Sequence, residues 1–326
     1  MLQRSLSQSP RITSVRTRYL DETVTADWGL VDLVHGFDNR CVEVARRLRA
    51  PLVMTRHISP LQFARQGWRT GKRLPWYRVA QAGVYANHLL RSGRAFQSAA
   101  AVIAPSRNTH NGLVRMMPWR QSRFHMIENG VETDGFPLGT KDEGYGLFVG
   151  RFERVKGADI AVAAFERLGF PLRMVGSGSL EASLRRNAPP NVSFAGGVND
   201  AELSRLYRGA SVSLFPSESE GYPFVVLEAL SSGSPVVSSN SFVATSPAKE
   251  LIHWVPFGVC SPHPEPGREK RVELLADAIR VVWKTKTPEN ARQRHEIIAR
   301  HYTWSSAVEA MIDVYEGVVR RDDGTK

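Results

Sequence analysis

Short apolar runs and longer amphipathic stretches alternate along the chain, which argues for parallel sheet flanked by helices rather than an all-β or all-α fold. The early runs ITSVRTRY (12–19), LVDLVHGF (30–37), PLVMTRHI (51–58), SAAAVIAPS (98–106) and RFHMIEN (123–129) predict strands. Helical periodicity lies between them at 39–49, 76–93 and 107–117. The stretch NGVETDGFPLGTKDEG (129–144) holds glycines, acids and turn formers with little to bury, so a domain boundary falls there. The alternation then restarts with YGLFVGR, DIAVAAFERLG, PLRMVG, SLEASLRRN, NVSFAG, DAELSRLYRGA, SVSLFPS and SPVVSS, and a helix follows near 270–284. The expected fold class is α/β with two Rossmann-like lobes, 1–139 and 140–300, and a cleft between them. In such sheets ligands sit beyond the carboxyl ends of the strands, so chemistry is to be sought in the loops that follow strands.

Composition narrows this picture. With 326 residues, 42% of them apolar and 23% charged, the chain can build two ordinary cores. No apolar stretch approaches the roughly 18 residues of a membrane span. The first twenty residues carry arginines and serines but lack the apolar core of a secretion signal. Cys41 and Cys260 are too few and too far apart for a disulfide framework or a metal site, which fits inert thiols in a reducing, cytoplasmic compartment. The net charge of +11 lies entirely in the first part, since residues 1–139 hold 20 cations against 9 acids and the remainder is balanced.

Candidate chemistry is concentrated in the second lobe. Arg151 and Lys156, with Gly157 beside them in LFVGRFERVKG, follow a strand and suit a pyrophosphate clamp, or else form an ordinary basic loop. Gly176 and Gly178 in LRMVGSGSL occupy a strand-to-helix turn that suits a phosphate, without the full G-x-G-x-x-G pattern of a nicotinamide site. Gly196 and Gly197, followed by Val198, would let a flat base approach the backbone, though a plain turn explains them equally. The segment SESEGYPFVVLEAL (217–230) then places Glu228 eight residues after Glu220, around a Pro223 suited to the first turn of a helix. By itself that is a helix start with one solvent-facing acid.

The ordered set VGRFERVKG, MVGSGS, VSFAGGV, LYRGASVSLFPS and SEGYPFVVLEALSSGSPVV resembles the nucleotide-sugar-binding lobe of family-4 retaining glycosyltransferases of the GT-B fold. Glu220 and Glu228 match that family's E-x7-E motif. IENGVETDGF (127–136) and YTWSSAVEAMIDVYEGVV (302–319) extend the likeness, which covers roughly residues 28–320; the second of these looks like a terminal helix, 301–320, that returns to the first lobe. The resemblance implies transfer of a sugar from a nucleoside diphosphate to an acceptor hydroxyl with retained configuration. On that reading Arg151 and Lys156 bind the pyrophosphate and Glu220 positions the sugar hydroxyls. Glu228 takes the ribose hydroxyls, and the N–H groups of Phe224 and Val225, just after Gly221, face the phosphates. Gly176, Gly178, Gly197 and Val198 complete the donor set. No cofactor is expected, and no D-x-D pair suited to a divalent metal occurs, so fixed cations and helix N–H groups would carry the leaving-group charge.

In the first lobe LVMTRH ends a strand at His57, which the resemblance makes the residue facing the reacting sugar and acceptor; a lone histidine there is otherwise a loop or core residue. The segment from Phe63 to Phe96 mixes cations with Trp68, Trp76, Tyr77 and Tyr85. It suits an anionic membrane surface, single-stranded nucleic acid, or a solvated face with aromatics turned inward. The family's glycan or lipid-linked acceptors favour the membrane over nucleic acid. The usual opening βα units of the family have no counterpart here, so the first lobe is expected to be incomplete, with unpaired strand edges. Pro223 stands where the family often has glycine, and Glu250 in ATSPAKELI receives no role. The competing readings are an inactive nucleotide-sugar binder and an epimerase or hydrolase of the same architecture.

Overall fold

The computed structural model describes residues 6–15, 31–57, 87, 90–218, 220, 222–239, 247–257 and 266–323. They form two compact units, one from residues 1–129 with 304–326 and one from 130–303. The boundary lies ten residues before the expected position because Val131 and Phe136 are buried in the core of the second unit.

The first unit holds a parallel sheet in the order β1 (Val34–Gly36), β2 (Leu52–Thr55), β3 (Ala101–Ala104) and β4 (Phe124–Met126). Both faces of β2 and β3 are covered, which explains their unbroken apolar runs. Leu52, Met54, Val102 and Ala104 pack with α1 (Cys41–Leu48) and α2 (Arg107–Met116), while Val53 and Ile103 pack under α9 (Trp304–Asp323). Helix α2 starts where Ser106, in extended conformation, accepts the Thr109 N–H at 3.3 Å. Helical residues 90–98 run beyond the expected end at 93. The expected strand at 12–19 is not formed in its described part. Residues 12–15 run without regular structure, and Ile12 and Val15 lie on the α9 cluster. Arg11 anchors the segment by pairing with Glu309, Asp313 and Glu316 of α9. Residues 16–19, Cys260 and the aromatics Trp68, Trp76, Tyr77 and Tyr85 lie outside the described residues.

The second unit is a six-stranded parallel sheet in the order β10-β9-β8-β5-β6-β7. Its strands are β5 (Gly146–Val149), β6 (Leu172–Val175), β7 (Val192–Gly196), β8 (Val212–Phe215), β9 (Val236–Ser238) and β10 (Ile252–Trp254). On one face Phe148, Met174 and Leu214 meet α3 (Ala158–Leu168) and α7 (Arg268–Val282). On the other, Leu147, Val175 and Phe215 meet α5 (Asp200–Gly209), α6 (Phe224–Ser231) and α8 (Pro288–His301). The short α4 (Glu181–Arg186) links β6 to β7. Caps set the boundaries: Asn199 accepts the Glu202 N–H at 2.9 Å to start α5, and Gly169, at φ 68°, closes α3 by donating to the Phe165 carbonyl. The chain starts at β5, winds outward to β7, then returns to β8 on the other side. Strand order therefore reverses between β5 and β8, and their carboxyl ends flank the switch point.

Candidate functional site

The loops leaving β5 and β8 are fastened together at this switch point. The Glu218 N–H donates to the Val155 carbonyl at 2.8 Å, and Gly157 adopts φ 71° with a Cβ position that the Pro216 carbonyl would occupy. Any side chain at residue 157 would push the loops apart. Lys156 ends a 3-10 turn (Arg154–Lys156), and its Nζ lies 2.5 Å from Oε1 of Glu220, with the two side chains 22% and 15% exposed. A cation from one side of the crevice thus meets an acid from the other. Arg151, just past β5, is solvent-exposed and its guanidinium pairs with Glu153 at 2.6 Å.

Gly176 and Gly178 lie beside this loop, but their small size is used within the protein. Gly176, at φ 129°, sits against the Gly150 carbonyl, and Gly178 against the Phe152 backbone. The Phe152 N–H donates to the Ser177 carbonyl at 2.8 Å, so the two loops form one rigid ledge. Gly197 has open space where a Cβ would go, and Val198 packs partly into the second face of the sheet. Gly221 lies outside the described residues.

Phe224 and Val225 are the first residues of α6, whose N-cap is Pro223, and no side chain caps the helix. The first turn therefore places the positive end of the helix dipole at the carboxyl edge of the sheet. Glu228, one turn further, is largely buried, and burial pushes its carboxyl up to about 7. The fully buried Tyr207 places its hydroxyl 3.4 Å from Glu228 Oε2, and burial beside this carboxylate raises the phenol well above its ordinary value.

Three further participants carry no sequence signal. Glu153 holds Arg151, Tyr207 meets Glu228, and Arg271 in the first turn of α7 pairs with Glu218 at 2.5 Å, with side chains 18% and 17% exposed. Arg271 lies 53 residues from its partner, too far for a spacing argument.

His57 belongs to the first unit, two residues beyond β2. Its ring stacks on Phe37 with centroids 6.2 Å apart, its carbonyl accepts the Thr109 hydroxyl at 2.9 Å, and burial together with Arg56 lowers its pKa. Phe37 stacks in turn on His35, which lies between the Tyr315 hydroxyl at 2.5 Å and the Thr55 hydroxyl at 2.8 Å. Burial drives His35 down to about 4, so it is neutral at pH 7.

Comparison with known proteins bears on this arrangement. The family profile described as glycosyl transferases group 1 matches residues 132–258, the span that contains every second-unit site residue named so far except Arg271. The profile for glycosyltransferase family 4 matches residues 6–134. The chain belongs to the family-4 glycosyltransferases of the GT-B fold. Among similar family members, the O-antigen chain mannosyltransferase C of Escherichia coli is 29% identical over 187 residues, covering 54% of this chain and 47% of its own. A D-inositol 3-phosphate glycosyltransferase of Xylanimonas cellulosilytica is 29% identical over 253 residues, covering 68% and 58%. The chain thus spans about half the length of the first and rather more of the second. Among solved structures, the sucrose-phosphate synthase of Thermosynechococcus elongatus superposes with a TM-score of 0.69 at 20% identity, covering 89% of this chain and 74% of its own. Anabaena HepE, solved with UDP and glucose, gives 0.64 at 19%, covering 88% and 78%. At these identities the structural likeness speaks for the fold.

Proposed function

We propose that the protein is a retaining glycosyltransferase that moves a sugar from a nucleoside-diphosphate sugar to an acceptor hydroxyl. The observation that carries this reading is the Lys156–Glu220 pair, which faces across the switch point beside the uncapped start of α6. A diphosphate lying there meets a fixed cation and the backbone N–H groups of a helix start. Glu220 and Glu228 then accept from sugar hydroxyls and ribose hydroxyls at the two ends of the donor. Lys156 exchanges its carboxylate partner for a phosphate oxygen when the donor enters, which frees Glu220 to accept from the sugar.

As the bond between the anomeric carbon and the phosphate oxygen breaks, negative charge grows on the leaving diphosphate, and Lys156, Arg151 and the α6 N–H groups stabilise it. The acceptor oxygen forms the new bond on the face the diphosphate leaves, and its proton passes to a diphosphate oxygen. No protein base is required. His57 keeps the acceptor-side role that the family resemblance gives it. The acceptor is a glycan or a lipid-linked sugar, and the reaction belongs to the cytoplasm or the cytoplasmic face of a membrane.

A thermal-shift panel of UDP-, GDP- and ADP-sugars identifies the donor, since a ligand at a hundred times its Kd adds about 2.7 kcal/mol. NMR of the product then reads the anomeric configuration. Failure of every nucleotide sugar to stabilise the protein, or an inverted product, overturns the proposal. Conversion of donor without any acceptor points to an epimerase or hydrolase instead.

A further inference from the structure

Arg56 is the first residue past β2, and it continues the ladder by donating its N–H to the Ile103 carbonyl at 2.9 Å. Alternation puts its side chain on the face of Leu52 and Met54, where the guanidinium lies 5.5 Å from the ring centroid of Phe96. Parallel pairing sets Gly36 beside Met54, so Phe37, the residue after β1, lies at the same carboxyl edge of the sheet. The Arg56 guanidinium reaches the Phe37 carbonyl at 3.5 Å. Among the described residues that long contact is its one hydrogen bond, and it has no ion-pair partner.

A guanidinium carries five donors, and here most are unused. Partial burial lowers the pKa of Arg56, with Asp38 opposing the shift, but the Asp38 carboxylate is engaged by the Arg40 N–H at 2.7 Å and the Arg40 side chain at 3.3 Å. A half-buried arginine that serves the fold has a carboxylate of its own, as Arg271 has Glu218. None of the Arg56 nitrogens is both unbonded and closed off from solvent, so the free donors are open to a ligand. Beside them Phe37 is 51% exposed, with its ring stacked on His35 at 5.1 Å and on His57 at 6.2 Å. His35 is itself fixed by the Tyr315 and Thr55 hydroxyls, so the row of rings is held from beneath. An exposed phenylalanine alone is ordinary. One fixed next to an unpaired guanidinium and His57 gives a site with an apolar half and a cationic half.

We propose that Phe37 and Arg56 form a subsite for an acceptor sugar that bears an anionic group, a carboxylate or a phosphate. The C–H face of the sugar ring covers the exposed side of Phe37, and the guanidinium fork donates to two anionic oxygens. A neutral sugar leaves the cation unpaired. A charged one offsets the desolvation that Arg56 already suffers in the folded chain. This inference rests on the transferase reading above and specifies the chemical class of its acceptor.

The test is ligand-observed NMR titration of the full chain, without donor, using methyl glucoside, methyl glucuronide and glucose 6-phosphate. The two charged sugars are expected to bind roughly tenfold tighter than the neutral one, the effect of a charge-assisted pair of hydrogen bonds. Arg56→Gln brings all three to the neutral value, and Phe37→Ala weakens all three roughly fivefold. If Arg56→Gln loses the first unit's unfolding transition, Arg56→Lys, which keeps the charge without the fork, is expected to fold and to lose most of the preference. In Lys156→Ala the preference persists, which keeps phosphate held at the donor site out of the result. Equal binding of charged and neutral sugars, a preference that survives Arg56→Gln, unchanged binding to Phe37→Ala, or no binding of any of the three overturns the proposal. Inorganic phosphate competing as well as glucose 6-phosphate makes this a bare anion site and also overturns it. The transferase reading fails by a separate result, the failure of every nucleotide sugar to stabilise the protein.

Discussion

Lys156 and Glu220 show how much one contact at the switch point controls. Lys156→Ala removes the fixed cation while leaving the close loop contacts at Gly157 and Gly176 intact. We expect a folded protein whose turnover falls on the order of a hundredfold, about 3 kcal/mol in the barrier, by analogy with loss of one oxyanion donor. Steady-state kinetics with the cognate donor would show near-normal kcat if the assignment were wrong. Glu228 adds a pH dependence. Its carboxyl titrates near 7 in the folded chain and near its ordinary value when unfolded, so the folded form holds the extra proton between those values. This group's contribution to stability is therefore full at low pH and declines as pH rises toward 7. On the donor role proposed for Glu228, binding has the opposite sign, because the carboxylate is the form that accepts from both ribose hydroxyls. Donor affinity should rise between pH 6 and 8, and Glu228→Gln should bind weakly with that dependence removed, both measurable by titration calorimetry.

At the scale of elements, the loop after β8 is held from two sides. Glu218 donates its N–H to the β5 loop and gives its carboxylate to Arg271 of α7. Cutting Arg271 back to alanine leaves a poorly solvated acid in the loop that carries Glu220. The expected outcome is a donor KM raised on the order of tenfold with a smaller change in kcat, largely rescued by Arg271→Lys. A structural role alone would lower the unfolding temperature while leaving KM where it was. Most of the elements were legible in the sequence. Runs such as GLFV and VSLF are buried on both faces and read as strands without ambiguity. Helix α8 was not legible, because it buries Arg294 along with Ala291 and Ile298 and otherwise reads as polar. Thr287 and Pro288 were its one local signal, a cap followed by a first-turn proline. Strand β10, three residues long, gave no periodicity at all. The site was legible as single residues whose pairing was not: Lys156 and Glu220 are 64 positions apart, and only the return of the chain from β7 to β8 brings them together.

For the whole molecule, the decisive feature is that the first unit is assembled from both ends of the chain. Helix α9 supplies Val308, Met311, Ile312, Tyr315 and Val318 to the face formed by Val53 and Ile103. Each of those side chains contributes about 1.5–3 kcal/mol when buried, comparable together to the stability of a whole domain. A chain stopped after Thr303 should therefore lose the first unit's unfolding transition in calorimetry and expose dye-binding apolar surface. The second unit, whose core needs none of these residues, should keep its own transition and its response to nucleotide sugar.

The bridge between Val131 and Thr303, reinforced by the Val131 N–H on the Tyr302 carbonyl at 2.8 Å, brings together the points where the chain enters and leaves the second unit. A segment whose two ends lie side by side behaves as a cassette. Residues 130–303 can be lifted out, rejoined head to tail through a short linker, or exchanged for the matching portion of a relative without dragging any loose tail across the fold.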